Sequence, residues 1–340
     1  MAAMGKKRIL TGDTPTGRLH IGHYVGTLEN RVKLQSEYET FILQADTHAL
    51  TTLAKTPQVI EDHTFQVVLD NLAAGLDPKN VTFWVESGVP ELYELAALFS
   101  MYVSHNRALR NPTIKDEIKM KGLGDQFSLG FVNYPIYQAV DILGVKANLV
   151  PVGVDQIPHL EQSREIARDI NTVIGQELFP IPEALVGKVG KLVGTDGNPK
   201  MGKSLGNTIF LGEAVDEIER KVMNMYTDPK RIRATDPGTV EGNPVFVYLD
   251  IFGTESDAAT IADFKARYTE GKVGDIEVKK YLCGVMERFI SPMRERRADY
   301  ESRPDDVRRI MIEGTARARE ENVKTLRELR TLLKLNIFVG

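Results

Sequence analysis

Short apolar segments alternate with helical patterns along the first half of the chain, and this alternation restricts the possible folds more than any other feature. Four segments are typical of buried strands: residues 8–11, 40–45, 81–86 and 148–152. Helical spacing is clearest over residues 57–75, where Ile60, Val67, Val68 and Leu72 share one face. Strands separated by helices favour a parallel sheet that is covered on both faces. The sequence therefore predicts an α/β fold with a doubly wound parallel sheet.

The second half of the chain has a different pattern, which predicts a second domain. Residues 187–206 are rich in glycine and lysine and are interpreted as a mobile loop. From Gly212 onward the spacing is helical without clear strands, and the last helix is expected over residues 317–335. We expect a catalytic domain over residues 1–200, with an inserted helical and loop segment, and an all-helical domain over residues 201–340. The last helix is expected to pack back toward the catalytic domain.

Charge and cysteine content exclude several classes of protein. The 340 residues carry a net charge of −4, so the chain lacks the broad positive field of a protein that coats DNA. The single cysteine, Cys283, excludes an intrachain disulfide and a cysteine-based zinc cluster, which suits a reducing cytoplasm. No apolar run approaches the roughly 20 residues of a membrane helix, and residues 1–10 are too weakly apolar for a signal peptide. We expect a cytoplasmic protein that binds neither DNA nor a membrane.

The first candidate site follows the first strand directly, in the segment Thr16-Gly17-Arg18-Leu19-His20-Ile21-Gly22-His23-Tyr24. A strand, a glycine-containing turn and the start of a helix leave free backbone N–H groups that bind phosphate. His20 and His23 share one helical face and can donate hydrogen bonds to a phosphoryl group. Gly22 lacks a side chain and would let a flat adenine ring approach closely. The alternative is that both histidines only cap or pack the first helix; the Pro-x-Gly turn before them favours phosphate binding.

The second candidate site is the segment Pro199-Lys200-Met201-Gly202-Lys203-Ser204, within the loop rich in glycine and lysine. Lys200 and Lys203 would form a movable pair of cations for phosphates. Two lysines at this spacing, without any other signal, usually belong to a basic loop that is exposed to solvent. Together, however, the two segments resemble the signature pair of the class I aminoacyl-tRNA synthetases, His-Ile-Gly-His after the first strand and Lys-Met-x-Lys-Ser about 180 residues later.

A third region resembles the tryptophanyl and tyrosyl branch of that class. It consists of residues 134–143 (YPIYQAVDIL) followed by residues 150–156 (VPVGVDQ). The single glycine before x-D-Q resembles tryptophanyl enzymes, since tyrosyl enzymes tend to have two. Residues 42–51 (ILQADTHALT) also resemble the tryptophanyl second-strand segment. The likeness is strongest over residues 8–204 and continues more weakly to the C-terminus, so the chain is identified as a member of the bacterial-type tryptophanyl-tRNA synthetase family.

The resemblance implies a Rossmann-like catalytic domain and assigns roles to individual residues. The catalytic residues would be His20, His23, Lys200 and Lys203. The ATP site would comprise Thr14, Pro15, Thr16, Gly22, His23, Gly153, Val154, Asp155, Leu192, Lys200, Met201, Gly202, Lys203 and Ser204. The tryptophan site would comprise Gly12, Tyr134, Gln138, Asp141 and Gln156. Lys115 is a weaker candidate for the triphosphate and lies in the polar stretch 111–124, which is interpreted as an exposed loop.

Within the implied tryptophan site, Asp141 would accept the indole N–H. Indole has one donor and no acceptor, so a buried carboxylate that tryptophan satisfies is left unpaired by phenylalanine. The alternative for Asp141 is a helix carboxylate paired with a nearby lysine or arginine. Tyr134, Gln138 and Gln156 would hold the amino-acid head, with ordinary helix packing as the alternative for the first two. Gly12 would leave room for the ring.

The implied reaction is attack of the tryptophan carboxylate on the α-phosphorus of ATP, with loss of pyrophosphate, followed by transfer of tryptophan to tRNA(Trp). Mg²⁺ would arrive with ATP and keep most of its waters, so no dedicated metal site on the protein is expected. The helical domain would recognise the anticodon. Five arginines, at positions 294, 296, 297, 308 and 309, are candidate phosphate contacts, with a solvated charged face as the alternative for each. The family also implies a homodimer formed through the catalytic domain.

Two residues depart from the family pattern. Gly202 replaces the first serine of the usual Lys-Met-Ser-Lys-Ser, which adds flexibility and removes a hydroxyl, whereas His23 stands where many tryptophanyl enzymes have asparagine. Three alternatives stay open at this point: a tyrosyl enzyme on the same fold, another nucleotidyltransferase with a His-x-Gly-His loop, and an accessory paralogue that binds ATP or tryptophan without charging tRNA. The second usually lacks a helical C-terminal domain.

Overall fold

A parallel sheet forms the centre of the N-terminal half. The computed structural model describes residues 6–120, 124, 126–153, 156–186, 192–228, 231, 233 and 235–337. Within them the strands are β1 (Arg8–Asp13), β2 (Glu39–Gln44), β3 (Val81–Val85), β4 (Leu149–Val152) and β5 (Glu183–Val186). They are parallel in the order β3-β2-β1-β4-β5, with Leu10 opposite Phe41. The predicted α/β fold with a doubly wound parallel sheet and a helical C-terminal part is confirmed.

The helices of the N-terminal half cover both faces of this sheet. The first is α1 (Ile21–His23), which continues through a π-helical turn (Tyr24–Leu28) into α2 (Glu29–Leu34). The next are α3 (Asp46–Leu53), α4 (Ile60–Ala74), α5 (Glu91–Ser100), α6 (His105–Leu109), α7 (Pro112–Met120), α8 (Leu129–Gly144) and α9 (Ile157–Ile174). Short 3₁₀ turns cover Pro57–Val59, Glu86–Gly88 and Lys203–Leu205.

The C-terminal part contains a 3₁₀ turn at Glu255–Asp257 and the helices α10 (Val215–Met223), α11 (Pro244–Phe252), α12 (Ala258–Thr269), α13 (Asp275–Glu301) and α14 (Pro304–Leu332). None of the helices in the described ranges combines the length and the hydropathy needed to cross a bilayer.

Helix α4 follows the predicted periodicity closely. Its residues Val67, Val68 and Leu72 are buried, because the apolar stripe faces the sheet. Gly75 ends the helix with φ +110°, a left-handed conformation that glycine adopts without steric cost. The first part of the chain therefore folds as its local pattern predicts.

The interpretation of residues 111–124 as an exposed loop is wrong where the structure describes them. Residues Pro112–Met120 form α7, and Asn111 caps this helix by accepting a hydrogen bond from the backbone N–H of Thr113 at 3.1 Å. Ile114 is completely buried. The helix is short and mostly polar, and among its described side chains only Ile114 and Ile118 join an apolar cluster, so its periodic signal is weak. Strand β5 and helices α3 and α9 were also not predicted.

The last helix, α14, packs across the edge strand β3. A Cβ at Gly314 would collide with the carbonyl oxygen of Phe83, and the backbone N–H of Val85 donates to the hydroxyl of Thr315 at 3.0 Å. This contact covers a strand edge that would otherwise be open to another chain. One apolar core also contains residues from both sides of position 200, including Leu28 and Phe246. The domain division at that position stays a prediction.

Candidate active site

The two candidate segments, far apart in the sequence, lie side by side in the fold. The backbone N–H of Ile21 donates to the carbonyl of Ile209 at 2.9 Å, and that of Leu211 donates to the carbonyl of Leu19 at 3.1 Å. The residues after the lysine loop are thus hydrogen-bonded to the start of the histidine segment. In addition, Lys203 Nζ lies 3.1 Å from Thr16 Oγ1 and 3.1 Å from the carbonyl oxygen of Gly17. Both segments therefore lie side by side after the carboxyl end of β1.

The two histidines cap the first helix and remain neutral. His20 Nδ1 accepts a hydrogen bond from the N–H of Gly22 at 3.2 Å, and His23 Nδ1 accepts one from the N–H of His20 at 3.1 Å. Burial and the charges of His23 and Lys203 lower the pKa of His20 to about 2, and burial with Lys203 lowers the pKa of His23 to about 4. Since each Nδ1 accepts, each neutral ring carries its hydrogen on Nε2. Capping therefore leaves one donor on each ring for a phosphoryl oxygen.

The turn before the histidines has a conformation that needs glycine. The N–H of Thr16 donates to the carbonyl of Thr14 at 2.8 Å, Pro15 is buried, and Gly17 has φ +107°. Gly22 is needed for a different reason. An ideal Cβ there would lie 2.9 Å from ring atoms of His20, so in this structure the histidine ring occupies the space that the missing side chain leaves.

The lysine loop is held by an asparagine that the sequence motif did not indicate. Asn207 is buried, its side-chain oxygen accepts from the N–H of Gly202 at 2.8 Å, and its nitrogen donates to the carbonyl of Lys200 at 3.2 Å. The N–H of Met201 donates to the carbonyl of Leu192 at 2.9 Å, and both side chains are buried. These contacts fix the backbone of the loop.

The exposed groups of the same loop are Lys200 and Ser204, whereas Lys203 is half-buried. Burial lowers the pKa of Lys203, and the charges of Asp13 and Asp70 oppose this shift. An ideal Cβ at Gly202 would lie 3.8 Å from Leu205, which is ordinary contact, so the structure has room for a serine there. The two lysines thus differ: Lys203 is hydrogen-bonded to the turn at residues 14–17, whereas Lys200 is open to solvent.

The predicted tryptophan-site residues come from β1, α8 and the start of α9. The amide nitrogen of Gln138 donates to the side-chain oxygen of Gln156 at 3.4 Å. The hydroxyl of Tyr134 lies 2.8 Å from His159 Nε2, and the Tyr134 ring packs edge-on against His48 with centroids 4.7 Å apart. The side chains of Gln138 and Gln156 are therefore in contact, and Tyr134 belongs to a buried network with His159.

Asp141 is the buried carboxyl of this group, with 5% of its surface exposed. Within the described part of the chain it makes no hydrogen bond and no ion pair, so the alternative of a pairing with lysine or arginine is not observed there. Burial and the charges of Glu86 and Asp46 raise the pKa of Asp141 well above its usual value. Glu86, which accepts from the N–H of His48 at 3.1 Å, has its pKa raised to about 7 by burial and by Asp46. An N–H donor entering this space would find an acceptor without a competing partner.

Two glycines lie at the carboxyl ends of β1 and β4, where the strand order reverses and where ligands bind in open α/β sheets. An ideal Cβ at Gly12 would lie 2.6 Å from the carbonyl oxygen of Leu43, so close approach of β1 and β2 itself requires glycine. Gly153 accepts from the backbone N–H of Gln156 at 3.0 Å. Val154 and Asp155, predicted for the ATP site, lie outside the described residues.

Most of the arginines proposed for tRNA phosphates are already engaged. Arg297 is buried against the carboxylate of Asp70, which also accepts from the N–H of Leu19 at 2.6 Å, so Arg297 is not available to a phosphate. Arg296 donates to the carbonyl of Ala73 at 2.7 Å. The remaining three pair with acidic side chains of their own helices: Arg294 with Glu287, Arg308 with Asp305 and Arg309 with Asp306. The prediction is therefore wrong for Arg297.

Three residues next to the turn at residues 14–17 are not indicated by the sequence: the partly buried Asp13 and the buried Arg31 and Asn71. They come from three separate elements and have no regular spacing, so no sequence signal indicated them. Lys115, the weaker candidate, is exposed on α7. Within the described ranges, no three histidine, cysteine, aspartate or glutamate side chains are arranged to hold a metal ion.

Comparison with known proteins gives consistent matches over the whole chain. Residues 3–291 match the model of a family described as class I tRNA synthetases (W and Y). A tryptophan–tRNA ligase of Streptococcus mutans is 48% identical over 340 residues, which cover 98% of this chain and 100% of the relative. One of Clostridium longisporum is 47% identical over 339 residues, with 98% and 99% covered. A tryptophanyl-tRNA synthetase of Campylobacter jejuni, solved with ADP and tryptophan, has a TM-score of 0.84 and 31% identity, with 96% and 99% covered.

Proposed function

This chain belongs to the class I tRNA synthetase family of the tryptophan and tyrosine enzymes, and we propose from this membership that it activates L-tryptophan with ATP and transfers it to tRNA(Trp). The observation that carries the choice of tryptophan is the buried Asp141 carboxyl, which has no partner among the described residues. An indole N–H supplies one donor and needs one acceptor. Relatives named tryptophan–tRNA ligase support the same choice.

In the proposed first step, the tryptophan carboxylate attacks the α-phosphorus of ATP in line, the new C–O–P bond forms and pyrophosphate leaves. No enzyme nucleophile takes part, so the protein acts by positioning and by stabilising charge. The Nε2–H groups of His20 and His23 would donate to phosphoryl oxygens, and Lys200 and Lys203 would bind the triphosphate. Because burial keeps both imidazoles neutral, they act as hydrogen-bond donors rather than as cations.

The remaining predicted residues divide between the two substrates. For ATP, the turn Thr14-Pro15-Thr16 with Gly22, together with Gly153, Val154, Asp155, Leu192, Met201, Gly202 and Ser204, is proposed to line the nucleotide. For tryptophan, Gln138, Gln156 and Tyr134 are proposed to hold the head group beside Gly12. Mg²⁺ is proposed to enter as the ATP complex and to keep most of its waters. Its charge would add to that of the two lysines on the leaving pyrophosphate.

The second step is transfer of tryptophan from the adenylate to the 3′-terminal ribose of tRNA(Trp), with the helical part recognising the anticodon. We propose that the enzyme works in the cytoplasm as a homodimer. The dimer is proposed to form through the catalytic domain, where Met101 and Leu129 are 79% and 80% exposed, and Met101 is proposed to lie in the contact. Sedimentation of Met101→Lys against the unmodified protein tests the dimer.

The function is tested by amino-acid-dependent exchange of pyrophosphate into ATP, with tryptophan and tyrosine in parallel, followed by charging of tRNA(Trp). We expect exchange with tryptophan and formation of Trp-tRNA. Exchange with tyrosine and not with tryptophan would identify tyrosine as the substrate instead. Adenylate formation without tRNA charging would instead favour an accessory protein, and absence of any exchange would reject the synthetase function.

A further inference from the structure

The end of β1 carries a carboxylate that is held by three donors from two other elements. Arg31 on α2 donates to Asp13 through Nη1 at 2.7 Å and Nη2 at 3.1 Å, and Asn71 on α4 donates at 3.0 Å. The same Arg31 Nη2 donates to the carbonyl of Gly12 at 3.1 Å, and the N–H of Ala45 donates to the carbonyl of Asp13 at 3.0 Å. This site therefore fixes the backbone from which the turn at residues 14–17 begins.

Stability alone is a weak explanation for this ion pair. The side chains of Arg31 and Asp13 are 2% and 8% exposed, and a buried pair loses most of its attraction to the cost of removing both charges from water. An apolar pair of similar size would often stabilise the fold as well. The arrangement is explained better by what the carboxylate does for its neighbours.

Those neighbours include two proposed catalytic residues. Burial raises the pKa of Asp13, but the charge and hydrogen bonds of Arg31 outweigh it and hold the pKa below its usual value, so the group is ionised. Its charge opposes the fall in the pKa of Lys203 and of His23 that burial causes. The titratable groups around Lys203 come from β1, α1, α4 and the segment before α1: Asp13, His20, His23, His63 and Asp70. Of these, Asp13 and Asp70 are the carboxylates whose charges oppose the fall in the pKa of Lys203.

We propose that Asp13 is a positioning residue for adenylation, which rests on the proposed function: with Arg31 and Asn71 it fixes the start of the turn at residues 14–17, to which Lys203 is hydrogen-bonded, and its negative charge acts on Lys203 there. Asp13 does not touch the reacting atoms. It acts through the turn, which accepts from Lys203 at Thr16 and Gly17, and through the electrostatic field at the lysine.

The test is the pH dependence of tryptophan-dependent pyrophosphate exchange by Asp13→Asn. Loss of the negative charge lowers the pKa of Lys203 further, so the loss of activity at alkaline pH should begin at a lower pH. We also expect kcat to fall by roughly 10- to 100-fold through misplacement of the turn, while the KM for tryptophan stays close to that of the unmodified enzyme. Asn71→Ala is the matched control, because it removes one hydrogen bond and keeps the charge. It should lower Tm and leave the alkaline limit in place.

A second variant protects the test against a general loss of stability. Arg31→Lys keeps a cation beside Asp13 but removes the paired donors, so kcat should fall while the alkaline limit stays in place. An alkaline limit that does not move in Asp13→Asn, or recovery of both variants only in unfolded form, would assign Asp13 a purely structural role. If the unmodified enzyme has no exchange activity, the proposed function is refuted instead. Failure of the proposed function can therefore be distinguished from failure of the proposed role of Asp13.

Discussion

Replacing Asp141 by asparagine is the most direct test of the proposal that this buried carboxyl selects tryptophan. The substitution keeps the shape and an acceptor oxygen but removes the charge. A hydrogen bond to a charged group contributes about 1.5–3 kcal/mol and a neutral one about 1 kcal/mol, so roughly 1–2 kcal/mol of tryptophan binding should be lost. This corresponds to roughly a 5- to 30-fold weaker affinity. Because the carboxyl has no partner in the described part of the chain, no other contact compensates for the loss.

The assay compares tryptophan with phenylalanine, which cannot donate to the carboxyl. The affinity for each amino acid is measured by calorimetry, and activation by the exchange reaction. In Asp141→Asn the affinity for tryptophan and the selectivity for tryptophan over phenylalanine should both fall, while the KM for ATP changes little. Tm should stay equal or rise, since asparagine removes one of three neighbouring acidic groups from a buried site. Asp46→Asn is the matched control: its carboxylate accepts from the N–H of Ser87 at 2.9 Å, and its removal should keep the selectivity. Unchanged selectivity in Asp141→Asn would refute the assignment of the pocket.

Four further outcomes follow from the site. Lys203→Ala should slow adenylation by roughly 100-fold with little effect on tryptophan affinity, as measured by exchange kinetics and calorimetry. Gly202→Ser should lower the KM for ATP without loss of Tm, since the new Cβ makes only ordinary contacts; a lower Tm would contradict this. Asn207→Ala should destabilise the loop by about 1–3 kcal/mol and raise the KM for ATP, because a backbone N–H loses its acceptor. Tryptophan binding should weaken as pH falls through the raised pKa of Asp141, and Glu86→Gln should shift this loss to lower pH, because one of the charges that raise that pKa is removed. Calorimetry over a series of pH values checks the shift, and a pH dependence that does not move would contradict the reasoning.

Several parts of the fold and site could be predicted because the signal lies in neighbouring residues. Strands β1–β4 are apolar runs, and α4 has a regular apolar face that ends at a glycine. The motif pair predicted that residues 16–24 and 199–204 belong to one site, and the structure places the two segments side by side. Helix α7 is missed because it is short and mostly polar, and β5 because four residues with exposed ends resemble a loop.

The sequence by itself determined the alternation of strands and helices, the two candidate phosphate-binding segments and the presence of a carboxyl at position 141, because these are properties of residue type and local spacing. Only the tertiary structure decided that Lys203 meets Thr16, which lies 187 positions away, and that Asp13 lies between Arg31 and Asn71. It also decided the protonation of the site. Burial makes the histidines neutral and raises the pKa of Asp141, and burial depends on contacts between residues that the chain brings together only when it folds.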